Sequence, residues 1–77
     1  MNHIQSIMNK ANTAKQHYGH YSSPHEVLGV IEEELYELKK AIHENDWVQA
    51  RKESEDIAAV CIRFATETTK RELSGEM

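Results

Sequence analysis

Residues 33–56 read EELYELKKAIHENDWVQARKESED, which is the pattern of two helices joined by a short polar turn. The first of these helices should end near residues 43–45. Asp46 then provides an N-cap for the next helix, with Gln49 in the capping-box position. Because so short a turn leaves its two helices as neighbours, we predict an antiparallel hairpin.

The hairpin is expected to bring four acidic side chains to matching heights. Glu37 and Glu53 each lie eight residues from Asn45, and Glu34 and Asp56 each lie eleven. Within each helix the two acids are three residues apart, so their carboxylates share one face. Four gathered carboxylates repel one another, and we therefore expect a cation between them. Ligands that are all oxygen indicate Mg²⁺, or else Mn²⁺.

The apolar residues of each helix predict which acids point inward. Glu34 falls inside the apolar arc of its helix, between Val27 and Ala41, and Glu53 projects among the apolar residues of the next helix. The acid three residues further along each helix lies at the margin of the arc. A carboxylate that faces an apolar core is costly unless it is protonated or binds a cation.

Acidic residues are also common on helices, where they form solvated faces or pair with basic residues, here Lys39, Lys40, Arg51 and Lys52. We adopt that interpretation for Glu32 and Glu55. For the four acids at matching heights, placement and register favour a metal site. Glu33 is intermediate, because it faces more toward solvent and yet could reach a second metal ion or orient a water molecule.

The remainder of the chain adds one more helix and no strand-like alternation. The first helix should cover residues 2–17. The second should begin after Ser23, a good N-cap, because Pro24 suits the first helical position and Glu26 completes a capping box. The third helix should run over residues 47–73.

Apolar residues recur at helical spacing in the first two helices. The first helix carries the stripe Ile4, Ile7, Met8, Ala11 and Ala14. The second carries a helix-packing seam made of Leu28, Ile31, Leu35, Leu38 and Ile42. We therefore predict one all-α domain over residues 1–77, with three helices of which the second and third form the hairpin.

Length and charge restrict the classes of function. A core built from 77 residues is marginally stable, and one cysteine, Cys61, leaves no internal disulfide to support it. No run resembles a membrane span or a signal peptide, so a soluble, cytoplasmic protein is expected. The net charge is −4 with no basic stripe, which argues against a nucleic-acid surface.

A second apolar side on the third helix predicts self-association. Val48, Ile62 and Leu73 flank the main apolar arc, and two partner helices from one protomer would not readily cover both sides. A homodimer whose paired hairpins form a four-helix bundle would bury them. We expect a homodimer or a homotetramer.

The acidic pattern Glu-Glu-x-x-Glu, a short gap, then Glu-x-x-Asp resembles the all-α nucleoside triphosphate pyrophosphohydrolase superfamily, the MazG-like and dimeric dUTPase-like proteins. In this chain the pattern comprises Glu33, Glu34, Glu37, Glu53 and Asp56. The flanking segments SPHEVLGVI and DIAAVCIR are similar as well, and YGHYSSPHE resembles small MazG-like proteins of bacteria and phages. The resemblance covers about residues 18–65.

The resemblance implies hydrolysis of a nucleoside triphosphate between its α- and β-phosphates, giving a monophosphate and pyrophosphate in a nucleotide-pool house-cleaning role. It also implies roles for individual residues. Mg²⁺ would be held by Glu34, Glu37, Glu53 and Asp56. Glu33 would serve as an added ligand or as the base that orients water.

The resemblance further implies a phosphate-binding side chain after the second acidic pair. Arg63 is the candidate, and a surface salt bridge to Glu67 is the alternative. Base recognition in the family draws on the first helix and the loop after it. His17, Tyr18 and Tyr21 could stack on a base or bond to it, although a hydrated loop is an equal alternative.

A second class of function remains open. The chain could be a non-catalytic helical oligomer, a binding module that retains the fold while its acids hold a structural ion or bind a protein partner. Catalysis predicts that Mg²⁺ and a nucleotide bind together. A binding module predicts metal effects that are independent of nucleotide, or none.

Overall fold

Three helices account for most of the chain. The computed structural model describes residues 2–18 and 21–74, with side chains for residues 2–16 and 21–70. Within those ranges the helices are α1 (His3–Tyr18), α2 (Pro24–His43) and α3 (Trp47–Ser74), and there is no strand. The all-α architecture expected from the sequence is confirmed, with helix ends within one or two residues of the predicted ones.

Side-chain caps explain where the helices begin. The Asn2 Oδ1 atom accepts a 2.7 Å hydrogen bond from the backbone N–H of Gln5, so Asn2 caps α1 rather than opening it. Ser23 has extended backbone and accepts from the N–H of Glu26 at 3.2 Å, with Pro24 at the first helical position. The reciprocal bond of the capping box differs from the standard pattern, because Glu26 accepts from the N–H of Ser22.

The turn between α2 and α3 is as tight as the sequence predicts. Asn45 adopts a positive φ of 57°, which asparagine tolerates better than most residues. Its N–H donates to the carbonyl of Ile42 at 3.1 Å, and the N–H of Asp46 donates to the carbonyl of Ala41 at 2.9 Å. This pair of bonds is the Schellman motif. Asp46 then caps α3 by accepting from Gln49 N–H at 3.1 Å.

The longest helix, α3, is the centre of the fold. It packs against α2 across the hairpin and against α1 on another side. His3 contacts Glu55 near the start of α3, whereas Lys15 and Lys70 line one cavity further along, so α1 runs in the same direction as α3. The acids of α3 are therefore flanked by α1 as well as α2.

The buried core is small. Tyr21, Val27 and Val60 form its centre, and Val27 retains only 2% of its exposed area. Partly buried apolar side chains packed against that centre are Val30, Ile31 and Phe64. None of the described side chains of large volume is fully enclosed. A core of this size leaves much apolar surface uncovered in one chain.

Part of the seam predicted on α2 lies outside this core. Leu28, Leu35 and Ile42, which we call the outer stripe, are 55%, 47% and 46% exposed. They recur every seven residues on a side of α2 that α3 does not cover, because α3 covers the side that carries Val27 and Ala41. The apolar seam of α2 is thus too wide for one neighbouring helix to cover.

Other apolar residues are exposed near the two ends of the molecule. Ile4 is 75% exposed, so the α1 stripe is buried chiefly at Ala11, which is 4% exposed. Val48 is 60% exposed, whereas Ile62 is half-buried and lines a cavity between α1 and α3. The side chain of Leu73 lies outside the described residues. None of the described helices has the length and apolar character needed to cross a membrane.

Candidate metal centre

Three of the predicted acids meet across the hairpin. One carboxylate oxygen from each of Glu34, Glu53 and Asp56 lies within 4.8 Å of the other two. We call these three residues the acidic cluster. Glu34 comes from α2, and the other two come from successive turns of α3. This separation of oxygen atoms suits a single cation bound between the helices.

The seven-residue spacing of each helix explains why two of these acids face inward. Glu34 lies between Val27 and Ala41, which are 2% and 3% exposed, and each neighbour is seven residues away. Seven residues are close to two full helical turns, so all three side chains share one side of α2. On α3, Glu53 and Val60 have the same spacing and are both buried. The inward placement expected from the sequence is thus present.

Glu53 is the most deeply buried of the three acids. Its side chain is only 8% exposed, and its Oε1 atom accepts a 2.6 Å hydrogen bond from Nε2 of Gln49. Its Oε2 atom is buried with no hydrogen-bond donor in the described structure. A buried carboxylate oxygen without a partner costs more than an ordinary missing hydrogen bond. A divalent ion at the acidic cluster would supply that missing partner, so the donor set fits a metal.

The pKa of Glu34 reflects the crowding of negative charge. Its side-chain contact with Glu53 is the largest cause of a raised pKa, and burial and the charges of Glu53, Asp56 and Glu33 add to it. Together they raise the pKa of Glu34 to about 7. In the metal-free protein, a proton on Glu34 therefore relieves the repulsion among the carboxylates near neutral pH. At higher pH, a bound metal ion would relieve the same repulsion.

Asp56 faces α1 as well as the other two acids. The Nζ atom of Lys10 donates a 2.9 Å hydrogen bond to Oδ1 of Asp56 and lies 3.2 Å from Oε1 of Glu55. Burial opposes the charge on Lys10, but its bonds to the two carboxylates outweigh that effect and raise its pKa. Lys10 is therefore a fixed positive charge at the edge of the acidic cluster.

Glu55 joins α1 to α3 rather than forming a solvated face. It accepts from the imidazole of His3 at 2.8 Å and from the hydroxyl of Ser6 at 3.1 Å, and it pairs with Lys10. The bond from His3 is the largest cause that lowers the pKa of Glu55 to about 2. The sequence predicts a solvated face or pairing with Lys39, Lys40, Arg51 or Lys52, whereas the partners of Glu55 are residues of α1.

Glu33 and Glu37 occupy different positions from the cluster. Both side chains are exposed, and neither is among the carboxylates that meet. Glu33 is close enough to Glu34 for its charge to raise that residue's pKa. The side chain of Glu37 is exposed to solvent on α2. The four-acid set predicted from the hairpin register is thus represented by three acids in this chain.

Arg63 lies two turns beyond Asp56 and is half-buried. Its Nη1 atom donates a 2.9 Å hydrogen bond to the hydroxyl of Tyr21, and its guanidinium carbon lies 4.2 Å from the centre of that ring. It also lines a cavity of about 90 Å³ between α1 and α3. Tyr21 is 6% exposed and part of the core, so it supports Arg63 instead of offering a free stacking surface.

The other candidates for base recognition cannot be placed, since the side chains of His17 and Tyr18 lie outside the described residues. Two residues that the sequence did not connect with the site contact the acids. Gln49, which the sequence places in a capping box, donates its side-chain amide to Glu53. Lys10 reaches Asp56 from α1, and its place three residues after Ile7 and four before Ala14 was the available signal.

Comparison of the chain with models of known protein families, with curated proteins and with solved structures finds no match.

Proposed function

We propose that this chain is a Mg²⁺-dependent nucleoside triphosphate pyrophosphohydrolase, with Mn²⁺ as an alternative ion. In the proposed reaction, a water oxygen forms a bond to the α-phosphorus. The bond between the α-phosphorus and the oxygen that bridges to the β-phosphate breaks. A nucleoside monophosphate and pyrophosphate leave. A bound metal ion would offset phosphate charge and favour ionisation of water. The role would be to clear nucleotides from the cellular pool.

The observation that carries the proposal is the unpartnered, buried Oε2 atom of Glu53 inside the acidic cluster. A solvated acidic face would leave its carboxylates exposed, whereas Glu53 is 8% exposed and has two further acids within reach. Such an arrangement is stable only with a proton or a cation. The acidic pattern on which the family resemblance rests supplies the same residues.

The chain's own residues divide the remaining tasks. Glu34, Glu53 and Asp56 would hold the ion, and exposed Glu37 would join them by a change of side-chain rotamer. Glu33 is exposed beside Glu34, where a water molecule can reach it, and would take the proton of that water.

Arg63 would bind a phosphate oxygen. Its bonds to Tyr21 fix the guanidinium along the same side of α3 as Asp56, which is seven residues earlier.

The test is pyrophosphate release from a panel of canonical and modified nucleoside triphosphates, with and without Mg²⁺. Glu53→Gln preserves size and the contact with Gln49 but removes the charge. We expect it to lower turnover by about 100-fold or more. Changing a residue that only supports a metal ligand costs up to about 100-fold, and Glu53 would be a ligand itself. Glu32→Gln, an exposed charge change on α2, is the matched control and should behave as wild type.

Release that is equal with and without Mg²⁺, or equal in the Glu53→Gln protein, would contradict the proposal. No release from any nucleotide by folded protein would favour the binding module instead. The uncovered outer stripe of α2 is the observation that favours that second function, because it offers an apolar surface to a partner whether or not the acids hold an ion.

A further inference from the structure

Lys10 occupies an unusual place for a lysine. Its side chain is 33% exposed, and its ammonium group lies between two carboxylates of α3. One of them, Asp56, belongs to the acidic cluster, and the other, Glu55, does not. The lysine is therefore a protein-borne cation at the edge of a centre suited to a metal cation.

One carboxylate, that of Asp56, cannot neutralise both a lysine and a divalent ion. When an ion binds the acidic cluster, it competes with Lys10 for this carboxylate, whose Oδ1 atom Lys10 now contacts at 2.9 Å. Glu55 still holds Lys10, with Nζ and Oε1 3.2 Å apart. The ammonium would then remain beside the bound ion, and two adjacent positive charges repel unless an anion lies between them.

We propose that Lys10 couples metal binding to phosphate binding: a metal ion displaces it from Asp56, and it then binds a phosphate oxygen of the ligand that the metal holds. This inference rests on the proposed metal site and adds a residue from α1 to it. Lys10 is a positioning residue in the metal-free protein and a phosphate ligand in the complex. Geometry supports both roles, because Glu55 still holds the ammonium group of Lys10 when a metal ion binds Asp56.

The inference makes opposite predictions for the metal alone and for the metal with an anion. Removing the charge with Lys10→Met should strengthen Mn²⁺ binding, because one competing cation is lost. It should weaken binding of pyrophosphate to the Mg²⁺-loaded protein, because one charge-assisted hydrogen bond is lost. A lysine that only fastens α1 to α3 would not produce these opposite changes.

The first measurement is Mn²⁺ affinity by electron paramagnetic resonance, at low ionic strength and without any phosphate. We expect Lys10→Met to bind Mn²⁺ about fivefold more tightly than wild type, a change typical of one partly exposed charge pair. Lys40→Met removes an exposed charge from α2 and should leave the affinity unchanged. Far-UV circular dichroism confirms that each variant keeps its helices.

The second measurement is pyrophosphate binding by calorimetry at saturating Mg²⁺. We expect Lys10→Met to weaken it by about tenfold, in the range for a hydrogen bond to a charged group. Lys10→Arg, which keeps the charge and the donors, should retain most of the affinity. The Lys40→Met protein again serves as the control for net charge.

Each outcome decides a separate claim. Tighter Mn²⁺ binding together with weaker pyrophosphate binding supports the coupling. Unchanged or weaker Mn²⁺ binding in Lys10→Met would mean that the lysine only joins α1 to α3, which overturns the inference. That result would not contradict the metal site itself. Unchanged pyrophosphate binding removes the phosphate role. If wild type binds no Mn²⁺ at all, the proposed metal function fails and the inference fails with it.

Discussion

At the scale of single residues, Glu34 and Glu53 show how a helix position sets the state of a carboxyl group. Both lie on helix sides that are otherwise apolar, and α3 brings them together with Asp56. A glutamate on the solvent side of a helix is hydrated and stays ionised at neutral pH. Here burial and mutual repulsion make a proton or a cation part of the folded structure.

The raised pKa of Glu34 predicts how stability depends on pH. In the folded metal-free protein its pKa is about 7, compared with an ordinary value of 4.5. Between those values the folded state binds more protons than the unfolded state, so the stability from this group is complete at low pH and is lost as pH rises through 7. The free energy of unfolding should therefore fall between about pH 5 and pH 8.

Urea unfolding of the metal-free protein at several pH values measures this slope, and Glu34→Gln isolates it. Groups other than Glu34 are the same in both proteins, so the difference between the two slopes belongs to Glu34. We expect a shallower fall in Glu34→Gln than in wild type. Identical slopes would mean that Glu34 is ionised in the folded protein throughout, which would contradict the crowding deduced here.

At the scale of secondary-structure elements, the turn between α2 and α3 sets the register of the acids. With its Schellman motif and the cap from Asp46, only residues 44–46 lie between the two helices. A turn this short leaves no freedom to slide one helix along the other, so Glu34 reaches Glu53 and Asp56. The first helix is added separately, through the contacts of Glu55 with His3, Ser6 and Lys10.

Asn45 is the residue of this turn that is most sensitive to substitution. Its φ of 57° is a left-handed conformation, which a β-branched side chain adopts poorly. Asn45→Val should lower the free energy of unfolding by about 1–2 kcal/mol. The neighbouring Glu44 has a φ of −89°, and Glu44→Val should cost only about 0.5 kcal/mol.

Urea denaturation of both variants tests this prediction. Asn45→Gly serves as a further control, since glycine adopts positive φ without steric cost. Equal losses in Asn45→Val and Glu44→Val would indicate that the turn does not hold its left-handed residue in solution.

At the scale of the whole molecule, the outer stripe of α2 is the basis for predicting that the chain self-associates. Leu28, Leu35 and Ile42 form an exposed apolar row beside a small core. In an antiparallel pair of α2 helices centred on Leu35, Leu28 of one copy would face Ile42 of the other. That arrangement would cover all three residues of the outer stripe, so we predict that a second copy of this chain covers it.

A charge placed at the centre of that row should prevent association. We expect the wild-type chain to sediment as a dimer or larger oligomer, and Leu35→Lys to sediment as a monomer over the same concentrations. Glu32→Lys places a positive charge on the exposed surface of α2 outside the outer stripe and should weaken association much less. Sedimentation velocity separates these cases, and a wild-type monomer at all concentrations would contradict the predicted assembly.

Local signals in the sequence were sufficient for the helices, the hairpin and the inward acids. Ser23, Asp46 and the spacing of apolar residues act within one or two helical turns, so their effects can be predicted without knowing the rest of the fold. The position of Glu34 between Val27 and Ala41 is a property of one helix alone. The short turn predicts that four acids meet, and three of them do so in the described structure.

Contacts between distant parts of the chain were decided only by tertiary structure. Nothing within α1 specifies that Lys10 should meet Asp56, 46 residues later, or that Arg63 should be held by Tyr21. The exposure of the outer stripe also depends on which side of α2 the helix α3 covers. Helix periodicity defines an apolar side, but the packing angle and the number of neighbouring helices determine how much of that side one chain can bury.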